Sequence, residues 1–326
     1  MQIKSVIRIL GLLLMLFSLA IIPPILVSII YQDGETWSFF YALILIFVSG
    51  LLLWLPAMQA KTDLKLRDGF IIVVLFWFVL STFASLPMLL SDSLNISITN
   101  AMFESVSGLT TTGATIITNI DSLPESILFY RQYLQWLGGL GIIVLAVAVL
   151  PMLGVGGMQL YKAEVAGPIK NKITPRITET AKWLWIVYLI MTLLCGLSYY
   201  FAGMDLFDSI CHSFSTIAIG GFSTHNESFG YYDNHLIELV AIIFMIAACL
   251  NFSLHYLAFK SKSMLPYKKD NEAYFFVFLT LFIAFLAVLY IYSLSLEMNI
   301  KEIINNTFYA VSISTTTGFT NSNYYQ

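Results

Sequence analysis

The sequence predicts an all-α polytopic membrane protein, on three observations. Of 326 residues, 58% are hydrophobic and only 11% charged, with a mean hydropathy of +0.82. A soluble surface carries about 25% charged residues, so lipid must cover much of this one. Apolar runs of about 20 residues, enough to cross a bilayer, recur along the chain, and the basic residues fall on alternate connections. No basic run with interleaved aromatics points to nucleic acid. Cys195, Cys211 and Cys249 are too scattered for a disulfide framework or a zinc site.

The runs lie at about Val6–Ile30, Trp37–Met58, Gly69–Leu90, Ser126–Leu150, Lys182–Phe201, His235–Phe259 and Ala273–Leu294. The first follows Lys4 and Arg8 but is long and has no small-residue cleavage site after it, so it reads as a retained helix, not a signal peptide. Pro23-Pro24 and Pro87 mark places where a helix could kink or end. Lys4, Arg8, the connections after the second, fourth and sixth runs, and Lys182 at the start of the fifth hold 14 of the 16 basic residues. The positive-inside rule puts these segments, and the N-terminus, in the cytoplasm.

Three blocks of intermediate polarity fall on the opposite side and align without gaps. Ile98–Thr115 reads ITNAMFESVSGLTTTGAT, Leu206–Ser223 reads LFDSICHSFSTIAIGGFS, and Ile303–Thr320 reads IINNTFYAVSISTTTGFT. Their glycines, Gly113, Gly221 and Gly318, lie 108 and 97 residues apart, the mark of an internal duplication. Each block has a serine six positions before its glycine: Ser107, Ser215 and Ser312. Asn100, Asp208 and Asn305 are the expected helix N-caps. From Asn100 to Leu109 there is room for about 15 Å of helix at 1.5 Å per residue, half a bilayer. The predicted unit is therefore span, half-helix, polar loop, span.

The loops are the candidate site. A half-helix entering from outside aims its partially negative C-terminus at the membrane centre. Small residues around a glycine then present backbone carbonyls to an axis, and a ring of such oxygens can replace a cation's hydration shell. The expected ion-facing residues are Thr110, Thr111, Thr112 and Gly113; Ala218, Ile219, Gly220 and Gly221; and Thr315, Thr316, Thr317 and Gly318. Neutral oxygens favour K+ over Mg2+ or Ca2+, whose sites usually use carboxylates. Glu104 and His212 occupy equivalent positions and, with Ser107, Ser215 and Ser312, are expected to support the loops from behind. Asp121, Asp205 and Glu227 read as solvated loop residues, with a weak negative vestibule as the alternative. Arg131, at the outer end of the fourth run, reads as an interface anchor, with pairing to an outer acid as the alternative. Gly138-Gly139-Leu140-Gly141 lies inside an apolar run with no preceding strand, so it reads as close helix packing. No HExxH or GxSxG is present, and His212, His225, His235 and His255 are not at ligand spacing, so no enzyme and no cofactor is expected.

The three loops, the stretch Arg131-Gln132-Tyr133-Leu134-Gln135-Trp136-Leu137-Gly138-Gly139-Leu140-Gly141 and the stretch Leu153-Gly154-Val155-Gly156-Gly157-Met158-Gln159-Leu160 resemble the Trk/Ktr/HKT superfamily of potassium transporters, and most its bacterial Trk branch. The resemblance covers essentially the whole chain. It implies potassium-channel-like pore units around a central pore, after a two-helix N-terminal unit. The expected segments are 1–60 for that unit, 61–178 for the first pore unit with its cytoplasmic loop, 179–270 for the second and 271–326 for an incomplete third. A fourth unit and the family's gating loop are absent, so a partial chain that does not conduct selectively alone is the expectation. The resemblance further implies K+ uptake across a bacterial inner membrane, a homodimer of complete subunits, and a cytoplasmic nucleotide-binding ring of TrkA type. The loop Tyr161–Arg176 is a candidate contact for that ring, with a simple solvated linker as the equal alternative. Cation-coupled symport with Na+ or H+, and a non-conducting scaffold, are the alternatives.

Overall fold

The computed structural model describes residues 2–60, 66–144, 173–295 and 299–321. Among these every regular element is a helix. In chain order they are α1 (Ile3–Leu19), α2 (Ile22–Tyr31), α3 (Thr36–Trp54), α4 (Leu66–Ala84), α5 (Leu86–Leu90), α6 (Ile98–Leu109) and α7 (Glu125–Val144). There follow α8 (Ile173–Ala202), α9 (Leu206–Ile217), α10 (His235–Cys249), α11 (Phe252–Ser261), α12 (Leu265–Lys269), α13 (Asn271–Ser295) and α14 (Ile300–Ser314). Among the described residues five stretches are long and apolar enough to cross a membrane, and the pair α10–α11 is apolar enough but bent. Their outer faces carry apolar side chains such as Phe78, Phe201 and Phe275, each more than 60% exposed, as a lipid-facing surface requires. The last six residues of the fourth run, the stretch 153–160 and most of the loop 161–176 lie outside the described residues.

The chain divides into two compact units. The first holds residues 1–109, 115–131 and 144–178. Here α1 crosses α3 at Gly11 and Gly50: a Cβ on Gly11 would come within 2.7 Å of the Gly50 carbonyl oxygen, and one on Gly50 within 2.8 Å of that of Gly11. Only paired glycines permit so close an approach. Val6 and Leu10 pack on Ile72 of α4. Pro23-Pro24 and Pro87 open α2 and α5 in their first turns, where a missing N–H costs nothing.

Polar latches close one rim of this unit. Glu35 accepts from Ser91 (2.7 Å) and Ser93 (2.5 Å), and the Tyr130 hydroxyl donates to the Ala84 carbonyl at 2.7 Å. Asp33 accepts from the Ser126 N–H (2.8 Å), the Ser28 hydroxyl (2.5 Å) and the Glu35 N–H (3.1 Å).

The second unit holds residues 110–114, 132–143 and 179–326. Its core joins Tyr188, Cys195 and Tyr199 of α8 to Ala241 and Met245 of α10 and to Phe308 and Val311 of α14, with Phe229 and Phe319 between them. The expected straight span His235–Phe259 is corrected: α10 and α11 meet at 97°. Neither Pro nor Gly makes this bend. Asn251 caps α11 by accepting from the Ser253 N–H at 2.8 Å, and the His255 ring bonds the Ala247 carbonyl at 2.9 Å, satisfying a group that a helix end leaves unpaired.

Burial opposes ionisation of Asp33, but the bonds from Ser126, Ser28 and the backbone outweigh it and hold its carboxyl below the ordinary carboxylate value. A depressed folded pKa contributes stability that is present above the unfolded value and lost as pH falls through the folded one. Titration from pH 6 to below about 4 should therefore lower the unfolding midpoint of the wild type more than that of Asp33→Asn, read by thermal unfolding in detergent.

Candidate functional site: three glycine-centred loops

The half-helices α6, α9 and α14 run 12, 12 and 15 residues, up to about 22 Å at 1.5 Å per residue. They begin earlier than Asn100, Asp208 and Asn305, and the capping assignment is corrected. Ser97 accepts from the Asn100 N–H at 3.2 Å, Asp205 accepts from the Asp208 N–H at 2.7 Å, and α14 starts after Asn299 without a side-chain cap. Asp205, read as a solvated loop residue, is thus the cap of α9. Asp208 and Asn305 sit inside their helices and bond laterally, Asn305 with its amide nitrogen 3.2 Å from Glu238 Oε2.

The helix ends share one geometry. In α9, the Gly220 N–H donates to the Ser215 carbonyl (2.8 Å) and the Ile219 N–H to that of Thr216 (3.1 Å). In α14, the Thr317 N–H donates to the Ser312 carbonyl (2.9 Å) and the Thr316 N–H to that of Ile313 (3.0 Å). This is the Schellman closure, which places its next-to-last residue in the left-handed region and normally uses glycine there. This chain uses a β-branched residue: Thr111 (φ 54°), Ile219 (φ 49°) and Thr316 (φ 60°). Two residues on, Gly113, Gly221 and Gly318 are left-handed again at φ 76°, 81° and 85°, and the residue between has negative φ in every loop. Ser215 and Ser312 act through their backbone carbonyls. The Ser312 hydroxyl also donates to the Phe319 carbonyl at 2.8 Å, whereas those of Ser107 and Ser215 are buried without a partner among the described residues.

The loop tips lie side by side in the second unit. A Cβ on Gly113 would collide with the Gly220 carbonyl oxygen, and one on Gly221 with that of Thr317. A Cβ on Gly318 would meet nothing within 4 Å. No carboxylate belongs to any of the three four-residue tips.

Each loop is held from behind by different chemistry. For the first, Glu104 is fully buried and accepts from the Thr115 hydroxyl (2.8 Å), the Ile116 N–H (3.2 Å) and the Arg131 guanidinium (2.8 Å). Arg131 also reaches the Thr115 hydroxyl at 3.1 Å. Arg131 is fully buried as well, so its reading as an interface anchor is corrected: desolvation forces it onto a partner 27 residues earlier. In the second loop His212 takes the equivalent place, between the Asp208 carbonyl (3.0 Å) and the Ser223 hydroxyl (2.9 Å). A carbonyl only accepts, so Nδ1 carries the proton and Nε2 accepts from Ser223. The Asp208 carboxylate accepts from Thr224 (2.7 Å) and Tyr232 (2.5 Å) and meets His225 Nε2 at 2.8 Å. His212 and His225, apart in sequence spacing, thus meet around one aspartate. The third loop leans on the segment after the second, with the Phe229 N–H donating to the Thr320 carbonyl at 2.8 Å.

Two side chains that sequence reading passed over clamp the second loop. Gln135 Nε2 donates to the Gly220 carbonyl (2.6 Å) while its Oε1 accepts from the Phe222 N–H (3.2 Å). Gln132 Nε2 donates to the Phe222 carbonyl at 3.3 Å. Both are fully buried, and a Cβ on Gly220 would land on the Gln135 amide. The available signal was three polar residues at positions 131, 132 and 135, a single helical face in an otherwise apolar helix. Nearby, a Cβ on Gly139 would come within 2.8 Å of the Tyr188 hydroxyl and 3.3 Å of the Ala218 Cβ; this glycine serves close packing.

Comparison with known proteins follows the same lines. The family model TrkH, described as cation transport protein, matches residues 36–325. The Trk system potassium uptake protein TrkH of Vibrio parahaemolyticus is 51% identical, over 99% of this chain and 68% of the relative. That of Escherichia coli (strain K12) is 49% identical over 98% and 67%. The crystal structure of the potassium transporter TrkH from Vibrio parahaemolyticus superposes with a TM-score of 0.89 at 47% identity, covering 99% of this chain and 66% of that one. The chain thus spans about two thirds of the length of these relatives.

The glycine environments rank three substitutions. Gly113→Ala and Gly221→Ala should each cost roughly 2–4 kcal/mol from left-handed strain plus overpacking. Gly318→Ala should cost about 1–2 kcal/mol from the backbone alone. Unfolding midpoints in detergent read the order. By the same measurement, Arg131→Ala should cost about 3–5 kcal/mol by stranding a buried carboxylate, and Arg131→Ala with Glu104→Gln should recover part of it.

Proposed function

The chain belongs to the TrkH family of cation transport proteins, and from that premise we propose that it serves K+ uptake across a bacterial inner membrane, with the three loop tips as parts of a carbonyl-lined selectivity filter. The observation that carries this reading is the alternation of positive and negative φ through Thr110–Gly113, Ala218–Gly221 and Thr315–Gly318. Such alternation gathers N–H groups on one side of the backbone. In the second and third loops those N–H groups bond back to the half-helix carbonyls, which leaves the loop carbonyls for the opposite side, that of Gly220 being held by Gln135. Loops set this closely, glycine against carbonyl, present neutral oxygens in a shared wall, and neutral oxygens select a monovalent ion that dehydrates cheaply.

In this reading the residues behind the tips fix the aperture. Glu104 with Thr115 and Arg131, His212 with Ser223, and Gln135 across Gly220 and Phe222 oppose widening, and Ser107, Ser215 and Ser312 set the level at which each half-helix ends. The N-terminus and the lysine-bearing connections face the cytoplasm, where a TrkA-like nucleotide-binding ring would meet the protein, and complete subunits pair as a homodimer. Channel-like passage is favoured over coupled symport because no ionisable side chain belongs to the tips.

The test is K+ uptake in a bacterial strain lacking its own uptake systems, with currents in reconstituted vesicles. The wild type should restore growth at low K+ with a current that reverses at the K+ equilibrium potential at any pH or Na+ level. A reversal that follows pH or Na+ would establish coupling instead, and no flux at all would favour the scaffold reading. Gln135→Ala, which removes two buried hydrogen bonds worth about 1 kcal/mol each, should lower the K+/Na+ permeability ratio by about tenfold; an unchanged ratio removes the filter assignment.

A further inference from the structure

We propose that the cleft under the α10–α11 bend binds an anionic phospholipid, one acyl chain lying against α8, α10 and α13 and the phosphate meeting Lys268. The cleft measures about 700 Å³, within the roughly 300–1,000 Å³ of ligand pockets. Its wall is apolar, from Met191, Phe244, Val277, Phe278 and Leu281.

The polar groups along its edge identify the occupant. The His255 ring is committed on both sides: Nε2 faces the Ala247 carbonyl at 2.9 Å, and Nδ1 accepts from the Tyr267 hydroxyl at 2.6 Å. That leaves the Lys268 ammonium, which makes no ion pair among the described residues, as the group able to bind an anion at the mouth. No acidic side chain lines the cleft. Lys260, Lys262 and Lys269 surround Lys268 in sequence, and the nearest acid, Asp270, is engaged in capping α13, accepting from the Ala273 N–H at 2.7 Å. Four lysines immediately beside a membrane helix form the pattern that attracts anionic lipid. Around them Phe259, Met264 and Leu265 are exposed, as expected of a hairpin seated at the bilayer interface. A soluble anion would use the lysine and leave the apolar cleft empty; a neutral lipid would use the cleft and leave the lysine.

The test is native mass spectrometry of the detergent-purified protein with phosphatidylglycerol or phosphatidylcholine added at equal concentration. The wild type should retain phosphatidylglycerol preferentially. Lys268→Gln should reduce that retention by roughly fivefold, the effect of one lysine near an anionic headgroup. Lys262→Gln, outside the cleft, should change it less, and Val277→Trp, which fills the cleft, should lower retention of both lipids. Inorganic phosphate in excess should not displace the bound lipid. Equal retention of the two lipids by the wild type overturns the proposal, as does equal loss in the two lysine variants or displacement by phosphate. Should Val277→Trp fail to fold by size exclusion, the lysine pair decides. Lipid retention is read without ion flux, so it stands or falls separately from the filter reading.

Discussion

The site rests on a backbone constraint. At the end of each half-helix a β-branched residue is held in the left-handed region, where such residues are rare, at a cost of order 1–3 kcal/mol each. That cost is tolerable only because the surroundings over-determine the loop. In the second and third loops two Schellman bonds anchor the start, and in all three the glycine two residues on gives a second left-handed turn. Contacts behind it prevent relaxation. Thr111, Ile219 and Thr316 therefore tie the sequence pattern to the packing of whole helices: without firm half-helix ends these loops would revert to ordinary turns.

Conserving the backbone three times has not required conserving what stands behind it. Glu104 and Arg131 form a buried ion pair closed by Thr115, and His212 and Ser223 do the same work with a neutral imidazole and a hydroxyl. The third loop relies on backbone bonding to Phe229. Buried polar groups must be paired, but any chemistry that pairs them serves. The loops can thus share a shape while differing in sequence at the supporting positions.

This division explains what was legible in advance. The loops could be read because glycine, serine and small residues recur in register, and that register answers to a local backbone need. The spans could be read because lipid demands apolar runs. The partner of Arg131 could not, since a carboxylate 27 residues away leaves no local trace; charge near a span end reads as an interface. The caps were misread because Asn100, Asp208 and Asn305 align well. Alignment reports equivalence, and what is equivalent about Asp208 is its lateral reach to Thr224, His225 and Tyr232, not its place in the helix. The 97° bend was hidden because Asn251 and His255 make it by hydrogen bonding, without the proline or glycine that marks a break. Gln132 and Gln135 lie within the stretch Arg131–Gly141, but their role depends on which loop the helix face meets.

The contact between neighbouring tips is directional. The glycine of one tip faces a carbonyl of the next: Gly113 toward Gly220, then Gly221 toward Thr317. The glycine face never meets itself, so the step is heterologous in the sense used for subunits, and such a step extends as a series instead of closing as a pair. Within one polypeptide, this makes the loops behave as protomers of an assembly whose members are covalently joined. Its order is set by the chain, and its spacing by the contact of one tip's glycine with the next tip's carbonyl. A change in a single tip would then propagate as an error in spacing, felt at its neighbour before it is felt anywhere else.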